Sequence, residues 1–178
     1  TFDWSRNTPA GITTSQPTSG TGIAIGGSIP SAVFTNTTTA PITITYTITP
    51  KGPTPTFCIG NAITANIVVN PTPTVNSLST KTICDNALVG YTITSATTGT
   101  TFAWTSSILA TPTGGTITGN SSGSGASLNE QLDNTGTSLG VIRYVITPTG
   151  PTGCPGTPFN FDVTVNPTPI AIATPAAT

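Results

Sequence analysis

Apolar and hydroxyl-bearing residues alternate one for one over long stretches of this chain. Ile42, Ile44, Tyr46 and Ile48 fall on one side of a run whose other side is Thr43, Thr45, Thr47 and Thr49. Ile142, Tyr144 and Ile146 alternate in the same way with Val141, Arg143 and Val145. Two further runs set Ile63, Ala65, Ile67 and Val69 in line with Phe159, Phe161, Val163 and Val165. A period of two sends successive side chains to opposite faces of a strand, so one face of each run is core. Val89, Tyr91 and Ile93, then Phe102 and Trp104, add shorter strands, with Gly, Pro and Asn between them. Short strands between turn residues predict an all-β chain of antiparallel sandwiches. Threonine, the most abundant residue, is β-branched and suits a half-exposed pleated face, and no window rich in Ala, Leu, Glu and Lys predicts a helix.

The pattern also repeats. Thr1-Phe2-Asp3-Trp4 parallels Thr101-Phe102-Ala103-Trp104 at an offset of 100, and Tyr46-Thr47-Ile48-Thr49-Pro50 parallels Tyr144-Val145-Ile146-Thr147-Pro148 at 98. Cys58-Ile59-Gly60 parallels Cys154-Pro155-Gly156 at 96, as VNPTP at 69–73 parallels VNPTP at 165–169. The order is constant and the small losses fall in loops, which reads as a tandem repeat of about one sandwich domain each. The register predicts an incomplete repeat at 1–73 lacking its first strands, a complete repeat at 74–169 and the start of another at 170–178. A window out of phase with its repeat, with no counterpart of residues 83–100 ahead of Thr1 and no methionine, reads as a segment of a longer or processed polypeptide.

Proline offers no amide hydrogen to a ladder and holds the residue before it extended, so each VNPTP ends a strand and stiffens the next few residues. Asn70, Pro71 and Pro73, and again Asn166, Pro167 and Pro169, are therefore expected to be linker residues as well as strand terminators. In the polyproline form they would span about 3 Å per residue.

Charged residues make up 5% of the chain and the net charge is −1, which leaves no basic patch for nucleic acid. No apolar run approaches the roughly 20 residues needed to span a bilayer, and no charged-then-apolar leader opens the chain. The absence of histidine removes Ser-His-Asp and Cys-His arrangements and most zinc sites. Glu130 and Asp133 are the one close pair of acids. Their Asn, Gly and Ser neighbours place them on a solvated loop or strand edge rather than across a glycosidase cleft. No Asp-rich loop has calcium-ligand spacing, so the residues nominate no catalytic group, no cofactor and no metal.

Lys51, in a Pro-Lys-Gly-Pro turn, and Lys81, ahead of a strand, read as exposed rather than crosslinked to an Asn. The Thr-x-Thr rows lack the flat lattice of an ice-binding face, because Arg143 and Val145 interrupt the second row. The stretch GNSSGSG at 119–125 reads as a flexible loop, and Asn36-Thr37-Thr38 and Asn120-Ser121-Ser122 match the N-glycosylation pattern. Trp4, Trp104, Tyr46 and Tyr144 lie on apolar faces and are expected in the core, with sugar stacking the alternative for the tryptophans. Cys84 and Cys154 flank Trp104 within one repeat and are expected to pair, with Cys58 bound to a cysteine outside the segment. Buried unpaired thiols are the alternative. Closing a loop of about 70 residues would stabilise by up to ~4 kcal/mol.

The series TTFAW, SGSGASLNEQLDNTG, VIRYVITPTGPTGC and FNFDVTVNPTP resembles the PKD-like, immunoglobulin-type repeats of very large surface proteins in gliding and biofilm-forming Bacteroidetes. The first half fits the same frame with TFDW, TNTTTAPITITYTITP and IVVNPTP. It departs at Ser28-Ile29-Pro30-Ser31, where the second half has Leu128-Asn129-Glu130-Gln131, and Cys58 lies in a lengthened loop. The resemblance implies tandem immunoglobulin-like β-sandwich domains joined by short Pro-rich linkers, forming a stalk or adhesin array on the cell surface and exported by the type IX secretion route. Its partners would be neighbouring repeats or copies of itself, together with polysaccharide or solid surfaces where weak contacts sum through avidity. Two other readings stand beside it. One is an extracellular filament subunit completed by strand donation, with a segment such as residues 169–178 filling the gap; the other is a carbohydrate-binding accessory module, which would need exposed aromatics.

Overall fold

The computed structural model describes residues 1–55 and 58–171, so most of the expected further repeat at 170–178 lies outside the described residues. The described residues contain strands and turns but no helix. By internal contacts the chain divides into two compact units, Thr1–Thr72 and Pro73–Thr178.

The first unit holds β1 (Phe2–Arg6), β2 (Ile12–Thr13), β3 (Ser19–Ile23), β4 (Thr35–Asn36), β5 (Ile42–Pro50) and β6 (Ile63–Val69). An antiparallel sheet runs in the order β3-β1-β5-β6, and β2 pairs with β4. The second unit holds β7 (Thr80–Cys84), β8 (Ala87–Leu88), β9 (Tyr91–Thr92), β10 (Thr101–Ala110), β11 (Ile117–Thr118), β12 (Gly123–Ser124), β13 (Ser127–Leu128), β14 (Gln131–Asn134), β15 (Gly140–Thr149) and β16 (Phe159–Asn166). Its main sheet runs β12-β10-β15-β16-β7, with smaller ladders β11-β14-β8 and β13-β9. The result is an immunoglobulin-like β-sandwich.

In the second unit alternation in the sequence becomes alternation in burial, whereas on β6 the expected core face fails: Ile63, Ala65 and Ile67 are all exposed, because no described strand or hairpin covers them. Along β15 every second residue is buried, and Ile142, Tyr144 and Ile146 are fully enclosed. Each such side chain contributes roughly 1.5–3 kcal/mol on leaving water. They meet Phe161, Val163 and Val165 from β16, with Ile83, Val89, Tyr91, Ile93, Phe102 and Trp104 around them.

Four strands of each unit share one arrangement. Trp4 on β1 lies opposite Ile48 of β5 and Gly20 of β3; Trp104 on β10 lies opposite Ile146 of β15 and Gly123 of β12. Tyr46 faces Ala65, and Tyr144 faces Phe161. The difference is at the edge. In the second unit β7 runs parallel along β16, from Thr80 beside Asp162 to Cys84 beside Asn166. In the first, β6 pairs among the described residues with β5 alone. The buried hydrophobic core there is Trp4, Ile44 and Tyr46, lined by half-buried Ile12, Ile23, Phe34 and Ile48.

Two local expectations need correction. The stretch 119–125 is not simply a loop, since Gly123–Ser124 is a strand on β10. Lys81 lies within β7 rather than ahead of it, where its ammonium donates to Gly90 O at 2.9 Å.

Candidate functional site

The tryptophans, the buried asparagines and the open edge of β6 carry the geometry that sets these units apart from a generic sandwich. Trp4 and Trp104 are both buried, and each indole lies across a glycine of the neighbouring strand. A Cβ on Gly20 would sit 2.4 Å from Trp4 Nε1, and one on Gly123 would sit 2.7 Å from Trp104 Cζ2. The first glycine of SGTG and of SGSG is thus the floor for a ring, and the Trp104 N–H, against that floor, is buried without a partner among the described residues.

Asn36 and Asn134 are buried polar residues with matching roles. The Asn134 amide donates to Ser138 O at 3.0 Å and Val165 O at 2.8 Å, while its oxygen accepts Gly136 N–H at 3.0 Å. Asn36 donates to Ala40 O and Val69 O, both at 2.8 Å, and accepts Thr38 N–H at 2.9 Å. Each one closes a turn and pins it to the end of the last sheet strand. With both amide hydrogens engaged inside the fold, Asn36 is no accessible glycosylation site. The only hint in the sequence was an Asn at the same offset as the Tyr46–Tyr144 landmark.

Glu130 is half-buried and committed to structure. Its carboxylate accepts the Tyr144 hydroxyl at 2.5 Å on one oxygen and the Ser121 N–H and hydroxyl on the other. Burial, then the adjacent Glu130, pushes the Tyr144 phenol well above its usual range. Asp133 is on β14 opposite Thr118, so the two acids do not form a facing pair. Arg143 and Asp162 make a two-pronged bridge across β15 and β16, both bonds 2.8 Å, and the guanidinium holds the Asp162 carboxyl below the usual carboxylate range. Lys51 is half-buried and ion-paired with Asp3 at 2.5 Å, which, with the Gly22 N–H, lowers the Asp3 pKa. Asp85 accepts the Asn134 N–H at 2.7 Å and the Thr168 hydroxyl at 2.9 Å, and these bonds, the first chiefly, depress its pKa.

The expected Cys84–Cys154 disulfide is absent, since none of the three cysteines pairs with another cysteine of the chain. Cys84 lies beside Asn166, at the far end of β16, whereas Cys154 precedes the near end, where Thr149 bridges Pro155. A strand of eight residues between those ends spans about 23 Å, while a disulfide needs α-carbons within about 7 Å. Flanking a core tryptophan in sequence does not bring the two together.

Of the linker residues, Pro71 and Pro73 are buried, Asn70 and Pro167 half-buried, and Asn166 and Pro169 exposed. Among the described residues no group of three or more His, Cys, Asp or Glu could hold a metal, and no helix is long and apolar enough to cross a membrane.

The open edge of β6 borders a groove of about 280 Å³ lined by Ile29, Pro30, Ala32, Phe34, Tyr46, Ile48, Ala65 and Ile67. Apolar side chains that β16 buries are exposed on β6: Val163 is 0% exposed, and its counterpart Ile67 44%. Among the described residues this surface presents apolar side chains and a strand edge, and offers no reactive side chain.

The second unit is an immunoglobulin-like β-sandwich, and the first shares its four-stranded frame, its Trp-on-Gly pair and its asparagine-pinned turn. The PKD-like domain matches residues 81–169, half of the chain, and the chain belongs to that family. Domains of this kind are typically non-catalytic and commonly extracellular. No curated protein matches the chain.

Proposed function

We propose that this chain is a segment of a structural and adhesive array on a bacterial cell surface, made of PKD-like domains in tandem, the first at 1–73, the second at 74–169 and a further one beginning at 170. The observation that carries the reading is the recurrence in both units of the same four-stranded frame, with its Trp-Gly pair and buried Asn. A chain that uses its polar groups to hold its own turns is suited to adding length and transmitting load. The low charge and hydroxyl-rich surface suit weak contacts with polysaccharide or solid surfaces, summed over many copies. Linker prolines restrict bending between domains. Family resemblance extends the proposal to gliding or biofilm surface proteins and to type IX export.

The test is the mass of the intact native polypeptide, denatured and reduced, from cells and after brief surface proteolysis. A mass of hundreds of kilodaltons that surface protease removes is the expected result. A polypeptide near the 17.8 kDa of this chain would replace the covalent array with a filament of separate subunits, for which the unpaired β6 edge is the supporting observation.

A further inference from the structure

The second unit shows what the first one lacks. There, residues 73–94 run up along β16 as β7 and fold back through β8 and β9 over the sheet. They bury Ile83, Val89, Tyr91 and Ile93, and the Tyr91 ring stacks on Phe161 with centroids 3.7 Å apart. The β7 strand is held by Asp162 N–H to Ser79 O, and by Asp85 N–H to Asn166 O, each 2.8–2.9 Å. At the repeat offset of 96, Asp162 and Asn166 correspond to Asn66 and Asn70, on the unpaired side of β6.

The first unit's groove sits where that segment would lie. Tyr46 and Ala65 occupy the positions of Tyr144 and Phe161, which in the second unit form the floor beneath Tyr91. Beside it Ile63, Ile67 and Val68 are 63%, 44% and 57% exposed. Sheet edges left to solvent usually carry a charge, a proline or a bulge that blocks pairing. The β6 strand, ITANIVV, has none of these and keeps regular register with β5 throughout. A further difference lies at the end of the sheet. A Cβ on Gly156 would strike Pro73 O at 2.0 Å, whereas Gly60, its counterpart, meets only Pro50. Among the described residues, the three atoms nearest that position all belong to Pro50, and none belongs to a residue that takes the place of Pro73.

We infer that the β6 edge and its groove are a docking site for a strand-and-hairpin segment of the pattern of residues 73–94, held in the same polypeptide as the first unit. The strand pairs in parallel with β6 through Asn66, Val68 and Asn70, and the hairpin's apolar residues fill the groove over Tyr46 and Ala65. Residues 169–178 do not have this pattern, since PIAIATPAAT carries no aromatic and no second apolar strand. The site is independent of how many domains the native protein has, so native mass tests the array and hydrogen exchange tests the site.

Exchange is compared in the 178-residue chain and in the same chain with an added copy of residues 73–100 joined ahead of Thr1, the connection that the second unit makes to Thr101. The added copy is expected to slow exchange at Asn66 and Val68 by about 100-fold or more, with no change at β15. Replacing Tyr91 and Ile93 by Asp in the added copy alone should abolish that protection. Free exchange at Asn66 and Val68 in both chains, with β15 protected, overturns the inference. So does a 178-residue chain that is dimeric with those amides already protected, because a second copy would then be the occupant. Equal protection by an added copy of residues 169–178 overturns the assigned pattern.

Discussion

Asn134 is 2% exposed and holds two carbonyls and one amide with a single side chain. A buried backbone group left without a partner costs roughly 1–3 kcal/mol, so Asn134→Ala should lower unfolding stability by about 2–4 kcal/mol in chemical denaturation. Asn120→Ala, which removes one bond to Ser106 from a half-buried site, should cost below about 1 kcal/mol. Equal effects would deny Asn134 its special role. The glycine under the indole makes a second prediction. Gly123→Ala forces a methyl group to within 2.7 Å of Trp104 Cζ2, an overpacking that costs about 1–3 kcal/mol. Trp104→Phe shortens the ring, so the double variant should be more stable than the sum of the single losses predicts. Strict additivity in that cycle would place the clash elsewhere.

At the scale of strands, the Arg143–Asp162 bridge ties β15 to β16. The Asp162 pKa is depressed by the guanidinium, so the carboxylate contributes stability above its unfolded pKa and loses that contribution as pH falls through the folded one. Thermal stability should hold from neutral pH to about 5 and decline below about 4. Asp162→Asn should flatten that decline, its deficit at neutral pH shrinking toward zero in acid, and an unchanged acid limb would remove Asp162 from the account. Asp3 and Asp85 shift in the same direction. Long strands were legible in the sequence because five or more alternating residues leave no other reading, as β5, β15 and β16 demonstrate. Two-residue strands such as β8, β11 and β12 are too short for a period, and the glycine-rich stretch around β12 resembles a flexible loop until Trp104 is placed on Gly123. Cysteine spacing misled because chain order carries no distance: Cys84 and Cys154 lie at opposite ends of β16. A thiol reagent should therefore titrate three thiols in the native chain, with Cys58 and Cys84, both exposed, reacting faster than half-buried Cys154. One reactive thiol would restore the disulfide.

Across the whole molecule, the two units differ more in core than in frame. Among the described residues fifteen buried side chains make the second unit's cluster, and three make the first unit's, although Trp4 and Trp104 are enclosed to nearly the same degree, 5% and 8% exposed. Burial of apolar side chains is the main favourable term in folding, so the frame alone does not give equal stability. Each unit carries one tryptophan, which makes the inequality measurable. With Trp104→Phe the fluorescence reports the first unit through Trp4, and with Trp4→Phe it reports the second through Trp104. The first transition should fall at clearly lower denaturant than the second, and its slope should be smaller, because the slope follows the surface exposed on unfolding. A first unit completed by the added segment should move its midpoint upward while the second stays in place. Coincident midpoints in the unextended chain would mean that the small core is compensated, and that β6 is not the weak edge its exposed isoleucines make it.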